Sequence, residues 1–120
     1  MININTNYVS TNMIVMDIFK GHNIEITKAM VEKSIHTFKN APIIYNPNQE
    51  LSDYRDADRA NDFCKDKVVG IIMDVAMVDN QVIGKILWYD NCHIKEKYDN
   101  WYISLSDDKS EFILKWVEIS

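Results

Sequence analysis

The sequence predicts an α+β domain in which one principal helix packs on a curled, mostly antiparallel sheet of five or six strands. Three observations predict this class. Two apolar runs within residues 68–89 flank Asp79 and Asn80, which is typical of a central hairpin. Residues 100–119 have the pattern of a second hairpin, and apolar residues recur at helical spacing between residues 26 and 38.

The first two predicted elements are a strand and the helix. Residues 13–19 are rich in apolar and β-branched side chains, and the turn-like residues 20–23 follow them. The helix begins near Thr27, whose side chain suits an N-cap, and Asn40 and Pro42 end it. Spacings of four, one, four and three place five apolar residues on one side of this helix: Ile26, Met30, Val31, Ile35 and Phe38.

A second strand and a polar excursion come next. Residues 42–45 predict a short extended segment that enters a turn. Residues 49–67 interleave acidic and basic side chains, which predicts a segment on the surface. A partial apolar face allows a short helix over about residues 54–64.

The C-terminal half predicts two hairpins. In the first, Ile72 and Ile86 are expected in the core, and Gly70 and Gly84 mark bulges or close backbone approaches within strands. In the second, residues 106–109 form the turn between strands 100–105 and 111–119. Apolar side chains alternate onto both faces of the last strand, so both faces are expected to be covered at least in part.

Composition limits the classes of function. A chain of 120 residues with 47% hydrophobic residues can fold as one domain over residues 1–120. Its formal net charge of -5 argues against direct binding to nucleic acid. No apolar run approaches the roughly 20 residues that span a bilayer, and residues 1–8 do not resemble a signal peptide. We therefore expect a cytoplasmic protein whose Cys64 and Cys92 are reduced thiols.

The sequence contains no familiar catalytic motif, and we predict no catalytic residue, metal or cofactor. The carboxylates of the excursion lack the Gly and the terminal Glu that shape a calcium loop. Cys64, Cys92 and His93 are possible zinc ligands, but structural zinc sites usually have paired Cys-x-x-Cys spacing. A metal-dependent hydrolase would require these three side chains and a carboxylate to converge.

Acidic and aromatic side chains are the remaining candidates for function. Tyr and Trp dominate binding hot spots, and an acidic rim around them suits a basic protein partner. Adjacent strand residues point to opposite faces, so one ring of the Trp101 and Tyr102 pair can be exposed. The predicted partner-binding residues are Asp53, Tyr54, Asp56, Asp58, Asp62, Trp101, Tyr102, Asp107 and Asp108. The partner class that fits them best is a nucleic-acid-binding effector with a charged groove.

Four segments together resemble the scaffold of tailed-phage prohead maturation proteases. These are Phe-Lys-Asn-Ala-Pro-Ile-Ile-Tyr at 38–45, Val-Val-Gly-Ile-Ile at 68–72, Val-Ile-Gly-Lys-Ile at 82–86 and Trp-Tyr-Ile-Ser-Leu at 101–105. The resemblance covers about two thirds of the chain. It implies a phage or prophage origin and a serine nucleophile in the later strand, at Ser104 or Ser106.

This chain departs from the pattern of those proteases at the catalytic base. Asn46, Pro47 and Asn48 stand where the resemblance calls for a His, and a hydroxyl without an adjacent base is a weak nucleophile. We therefore predict a non-enzymatic phage-type binding protein, most concretely an inhibitor of a host defence nuclease such as a CRISPR effector. The alternative is an active or vestigial prohead-type serine protease or capsid-assembly factor.

Overall fold

A computed structural model describes residues 9–18, 25–47, 67–89 and 91–120. In these ranges the chain forms one α-helix, one 3-10 turn and six strands: β1 (Val9–Asp17), α1 (Lys28–Ser34), the 3-10 turn (Ile35–Thr37), β2 (Pro42–Tyr45), β3 (Val68–Val78), β4 (Gln81–Trp88), β5 (Asn100–Leu105) and β6 (Phe112–Ile119). The strands form one sheet in the order β1-β4-β3-β2-β6-β5. Neighbours are antiparallel except β2 and β6. The predicted α+β class is confirmed.

The predicted central hairpin is β3 and β4, joined at Asp79 and Asn80. Asp79 has a φ of 54°, which a short turn between strands commonly requires. Ile72 and Ile86 face each other across the strand pair and are fully buried, as predicted. A Cβ on Gly70 would lie 2.9 Å from the backbone oxygen of Leu87, so this glycine permits a close approach of β3 to β4.

Strand β1 begins at Val9, four residues before the predicted start. Its first half alternates half-buried Val9 and Thr11 with exposed Ser10 and Asn12, so it lacks the apolar run that marked the second half. Thr11 is held on the inner face because its Oγ1 accepts a hydrogen bond of 2.7 Å from the Trp88 indole. A polar side chain with a buried partner thus extends the strand beyond its apolar residues.

The helix begins as predicted and ends earlier. The Thr27 hydroxyl accepts a hydrogen bond of 3.2 Å from the Met30 amide and caps α1. After Ser34 the chain tightens into the 3-10 turn, and Asn40 then adopts a φ of 74°. Met30, Val31 and Phe38, as well as Ile26, are buried, which confirms the predicted apolar side.

Two hydroxyl groups join the helical segment to β6. The Phe112 amide donates to Ser34 Oγ over 2.8 Å, and the Leu114 amide donates to Thr37 Oγ1 over 3.0 Å. On β6, only the last residues, Val117 to Ile119, pair with β2. The hydroxyls therefore satisfy β6 amides that β2 does not reach.

The sheet curls without closing into a barrel. Register shifts interrupt four of its five strand pairs, and bulges of this kind increase local twist. Residues 96–99 connect the two ends: the Tyr98 amide donates to the Ile14 carbonyl of β1, and the Asp99 amide donates to the Glu118 carbonyl of β6, both over 2.9 Å. A single segment therefore contacts strands near opposite edges of the curled sheet.

The core lies where the inner face of the sheet meets α1 and the 3-10 turn. Phe38 and Phe112 pack with their ring centroids 5.8 Å apart, and Trp88 is fully buried between β1 and β3. The exposed residues of β6 are Ile113 and Lys115, whereas residues 116–119 are buried on both faces. The predicted coverage of both faces thus applies to the end of the strand.

In the described ranges, no helix is long and apolar enough to cross a membrane.

Candidate functional site

The predicted partner-binding surface divides into two sets. Asp53, Tyr54, Asp56, Asp58 and Asp62 lie outside the described residues, together with the predicted helix over 54–64. The structure places the other four residues on β5 or on the turn that follows it: Trp101, Tyr102, Asp107 and Asp108.

The turn between β5 and β6 comprises residues 106–111 and carries Asp107 and Asp108. Asp108 Oδ1 accepts hydrogen bonds from the Ser110 hydroxyl over 2.7 Å, the Ser110 amide over 3.0 Å and the Ser106 hydroxyl over 2.8 Å. These bonds, those from Ser110 foremost, lower the pKa of Asp108 to about 2. Asp108 therefore orders the turn, and the neighbouring Asp107 is exposed.

The two rings of the predicted aromatic pair have different environments. Trp101 is 5% exposed and belongs to the core, so its predicted contact with a partner stays a prediction. The strand alternation that was expected to expose one ring leaves the Tyr102 ring half-buried. Tyr102 is half-buried on the opposite face and stacks on Trp116, with ring centroids 4.6 Å apart and an interplanar angle of 28°.

A polar pocket of about 100 Å³ lies beside this stack, where β5 begins and β6 ends. We call it the Glu118 pocket, after its most buried carboxylate. Its described polar lining includes two carboxylates and no Lys, Arg or His: Asn46, Asp99, Asn100, Tyr102, Glu118 and Ser120. An acidic lining of this kind suits a cationic group.

Glu118 is held in place by two neutral donors. Its Oε1 accepts a hydrogen bond of 3.2 Å from the Asn46 amide, and its Oε2 accepts one of 3.2 Å from the Trp116 indole. Asn46 follows β2, and its backbone N–H donates to the Ile119 carbonyl over 2.8 Å, whereas the bond to Glu118 comes from its side-chain amide. Asp99 lies at the rim, where its Oδ2 accepts a hydrogen bond of 2.8 Å from Ser120.

A second, open cleft of about 300 Å³ brings His36 together with Ser104 and Ser106. These are the two serines at which the protease resemblance would place a nucleophile. The Ser106 hydroxyl is bonded within its own turn, to the Asp108 carboxylate and over 3.0 Å to the Glu111 carbonyl. The single proton of this hydroxyl therefore has the Asp108 carboxylate and the Glu111 carbonyl as acceptors, both within the turn.

The described residues do not assemble the possible metal ligands. Cys64 lies outside the described ranges, and Cys92 is exposed. The His93 ring packs against the Tyr45 ring with centroids 4.5 Å apart. In the part of the chain that the structure describes, no group of three His, Cys, Asp or Glu side chains could hold a metal ion.

The sequence-based prediction did not include Glu118, Asp99 or Asn46. These residues come from three separated segments, so no local spacing brings them together. One signal was available: Glu118 interrupts the apolar run of the last strand, between Val117 and Ile119. A carboxylate in a strand that is covered on both faces indicates a buried charge and hence a candidate site.

Comparison with protein-family models, with curated proteins and with solved structures finds no match for this chain.

Proposed function

We propose that this chain is a non-enzymatic protein of phage or prophage type that binds a basic surface of another protein in the cytoplasm. The observation that carries the proposal is the Glu118 pocket, whose described lining contains two carboxylates and no basic side chain. Asp107, exposed on the β5–β6 turn at the other end of this strand pair, adds charge of the same sign. The net charge of -5 favours association with positively charged partners.

The most concrete version is inhibition of a host defence nuclease, in the manner of an anti-CRISPR protein. Nucleases of this kind hold nucleic acid in basic grooves, because the phosphate backbone supplies much of the binding energy. Carboxylates on a folded domain can occupy such a groove in place of phosphates. The proposal also counts the acidic residues of the excursion among the partner-binding residues: Asp53, Asp56, Asp58 and Asp62.

Capture from host lysate at low and high salt tests the proposal. The test variant carries Asp53→Lys, Asp56→Lys and Asp107→Lys, and Asp108 is kept because its carboxylate orders the turn. We expect wild type to capture a partner at low salt and less of it at high salt, because exposed charges are screened beyond about 10 Å at 0.1 M salt. The variant should capture less at low salt and show little further loss at high salt.

A matched control separates a local effect from the total charge. It reverses three exposed acids elsewhere, through Glu25→Lys, Asp74→Lys and Glu96→Lys, and should retain most of the capture. Equal recovery of the partner with wild type and the test variant at both salt concentrations would reject the acidic-surface proposal. Equal losses in the test and control variants would assign the effect to net charge instead of this surface.

The second candidate function is a prohead-type serine protease, active or vestigial, or a capsid-assembly factor. The cleft that contains His36, Ser104 and Ser106 favours it, because an imidazole and a hydroxyl are the groups that nucleophilic catalysis needs. A fluorophosphonate probe tests for an activated serine. We expect no labelling, because no hydrogen bond joins His36 to Ser104 or Ser106 among the described residues, and the Ser106 hydroxyl is bonded to Asp108 and Glu111. Labelling that disappears in Ser104→Ala or Ser106→Ala, and in His36→Ala, would establish the enzyme.

A further inference from the structure

Glu118 is a buried carboxylate whose charge has no cationic partner among the described residues. It is 4% exposed, and its two hydrogen bonds come from the neutral Asn46 amide and Trp116 indole. Both bonds measure 3.2 Å, at the long end of the usual range. Charged side chains are rarely buried to this degree unless they are paired, because the loss of hydration is costly.

The unused bonding capacity of Glu118 faces a pocket. An ionised carboxylate can accept about four hydrogen bonds, and the two neutral donors occupy about half of that capacity. Glu118 lines the Glu118 pocket, where Asp99 supplies a second carboxylate and Asn100 an amide side chain. The arrangement can therefore accept several hydrogen bonds from a donor-rich cation.

An aromatic ring completes one wall of the pocket. Tyr102 lines it, and stacking on Trp116 fixes the orientation of the Tyr102 ring. Aromatic rings attract cations, and a planar guanidinium can also stack on them. The volume of about 100 Å³ fits a small head group, since a water molecule occupies about 30 Å³ in the liquid.

We propose that the Glu118 pocket binds the guanidinium group of an arginine side chain of the partner protein. This inference rests on the proposed function, because it names the chemical group through which a basic partner is recognised. Arginine suits the pocket better than lysine, because its planar fork of donors matches carboxylates and is more weakly hydrated than an ammonium group. A metal ion is a poorer occupant, because the described residues offer no group of three suitable ligand side chains.

Nuclear magnetic resonance can detect this binding without knowledge of the partner. The Trp116 indole N–H donates directly to Glu118, so its resonance reports the occupancy of the pocket. The probe is N-acetyl-arginine amide, and N-acetyl-citrulline amide is its uncharged match. We expect a saturable shift of the Trp116 indole resonance with the arginine probe and at least tenfold weaker binding of the citrulline probe. Equal responses to both probes would overturn the proposal.

The lysine analogue separates a specific guanidinium site from general attraction of cations. N-acetyl-lysine amide should bind several-fold more weakly than the arginine probe. Equal binding of the two cations would reject arginine recognition and leave the pocket as an unselective cation site. The absence of a saturable shift with any of the three probes would remove the pocket as a binding site.

Glu118→Gln is the test variant, and Glu25→Gln, at an exposed position before α1, is the control with the same change in charge. A glutamine can keep its oxygen on the Trp116 indole, while the Asn46 amide turns to accept from the new NH₂ group. We expect Glu118→Gln to weaken binding of the arginine probe at least tenfold and Glu25→Gln to leave it unchanged. Asp99→Asn should weaken it less, because Asp99 lies at the exposed rim.

Thermal unfolding of Glu118→Gln shows whether the variant is folded. If it is not, Asp99→Asn decides: unchanged binding of the arginine probe in this variant rejects the site.

Capture from lysate distinguishes failure of this inference from failure of the proposed function. Salt-sensitive capture that Glu118→Gln leaves intact would retain the acidic-surface proposal and reject the arginine pocket. Capture that charge reversal does not reduce would reject the acidic surface.

Discussion

Among the described residues, Asp17 is a buried carboxylate whose ionisation is tied to the fold. It is 5% exposed, and its carboxylate accepts hydrogen bonds from Gln81 over 3.0 Å and Tyr98 over 3.2 Å. Lys97 Nζ lies 2.9 Å from Asp17 Oδ2. Burial raises the pKa of Asp17, but the bonds from Lys97, Gln81 and Tyr98 together outweigh it, so the pKa lies below its usual value of 3.8. Tyr98 meanwhile has a raised pKa, chiefly through burial.

The lowered pKa gives a stability prediction with a defined sign. Because the folded state favours the ionised carboxylate, its contribution is fully present above about pH 4 and is lost as the pH falls through the lower folded-state pKa. Asp17→Asn should therefore cost about 1–3 kcal/mol of unfolding free energy at pH 7. Urea unfolding at several pH values from 7 downward should show this difference shrinking below about pH 4.

Lys97→Met is the matched control for Asp17→Asn. The Lys97 side chain is 49% exposed, so solvent screens its ion pair, and its loss should cost less stability than Asp17→Asn. A difference between Asp17→Asn and wild type that stays constant from pH 7 to the lowest pH at which both fold would contradict the assigned role of the charge.

At the scale of elements, the β3–β4 hairpin is the centre of the sheet. Ile72 and Ile86 oppose each other in it and are fully buried. Truncation of either residue to Ala should lower the free energy of unfolding by about 2–5 kcal/mol, because the neighbours cannot collapse fully into the cavity. Denaturant unfolding measures the loss for each variant.

Val78 provides the control on the same hairpin. It is 51% exposed near the turn, and Val78→Ala should change stability by less than about 0.5 kcal/mol. Losses below about 1 kcal/mol at both Ile72 and Ile86 would mean that the strands are placed incorrectly.

The elements that the sequence predicts well are those whose side-chain pattern is local. Apolar spacing predicts the buried side of the helix, and Thr27 marks its start because an N-cap needs only its own first turn. The first half of β1 is different, since Thr11 is held by Trp88, 77 residues away in the chain. Asn46, Asp99 and Glu118 meet only through the sheet topology, so the Glu118 pocket could not be predicted from spacing.

At the scale of the molecule, the curled sheet brings the candidate site together at one end. Residues 96–99 connect β1 to β6, and the same segment places Asp99 beside Glu118. The sheet thus presents carboxylates from a loop and a strand side by side, and the ordered β5–β6 turn lies at the other end of the same strand pair. Rigid presentation favours binding because little side-chain motion is lost on association.

Competition with nucleic acid tests the central claim most directly. The partner captured from lysate is purified, and its affinity for nucleic acid is measured at fixed salt with increasing amounts of this protein. We expect wild type to displace nucleic acid at a stoichiometric ratio, whereas the variant with Asp53→Lys, Asp56→Lys and Asp107→Lys should require at least tenfold more protein. A partner that binds nucleic acid and this protein at the same time, with neither affinity changed by the other, would contradict it.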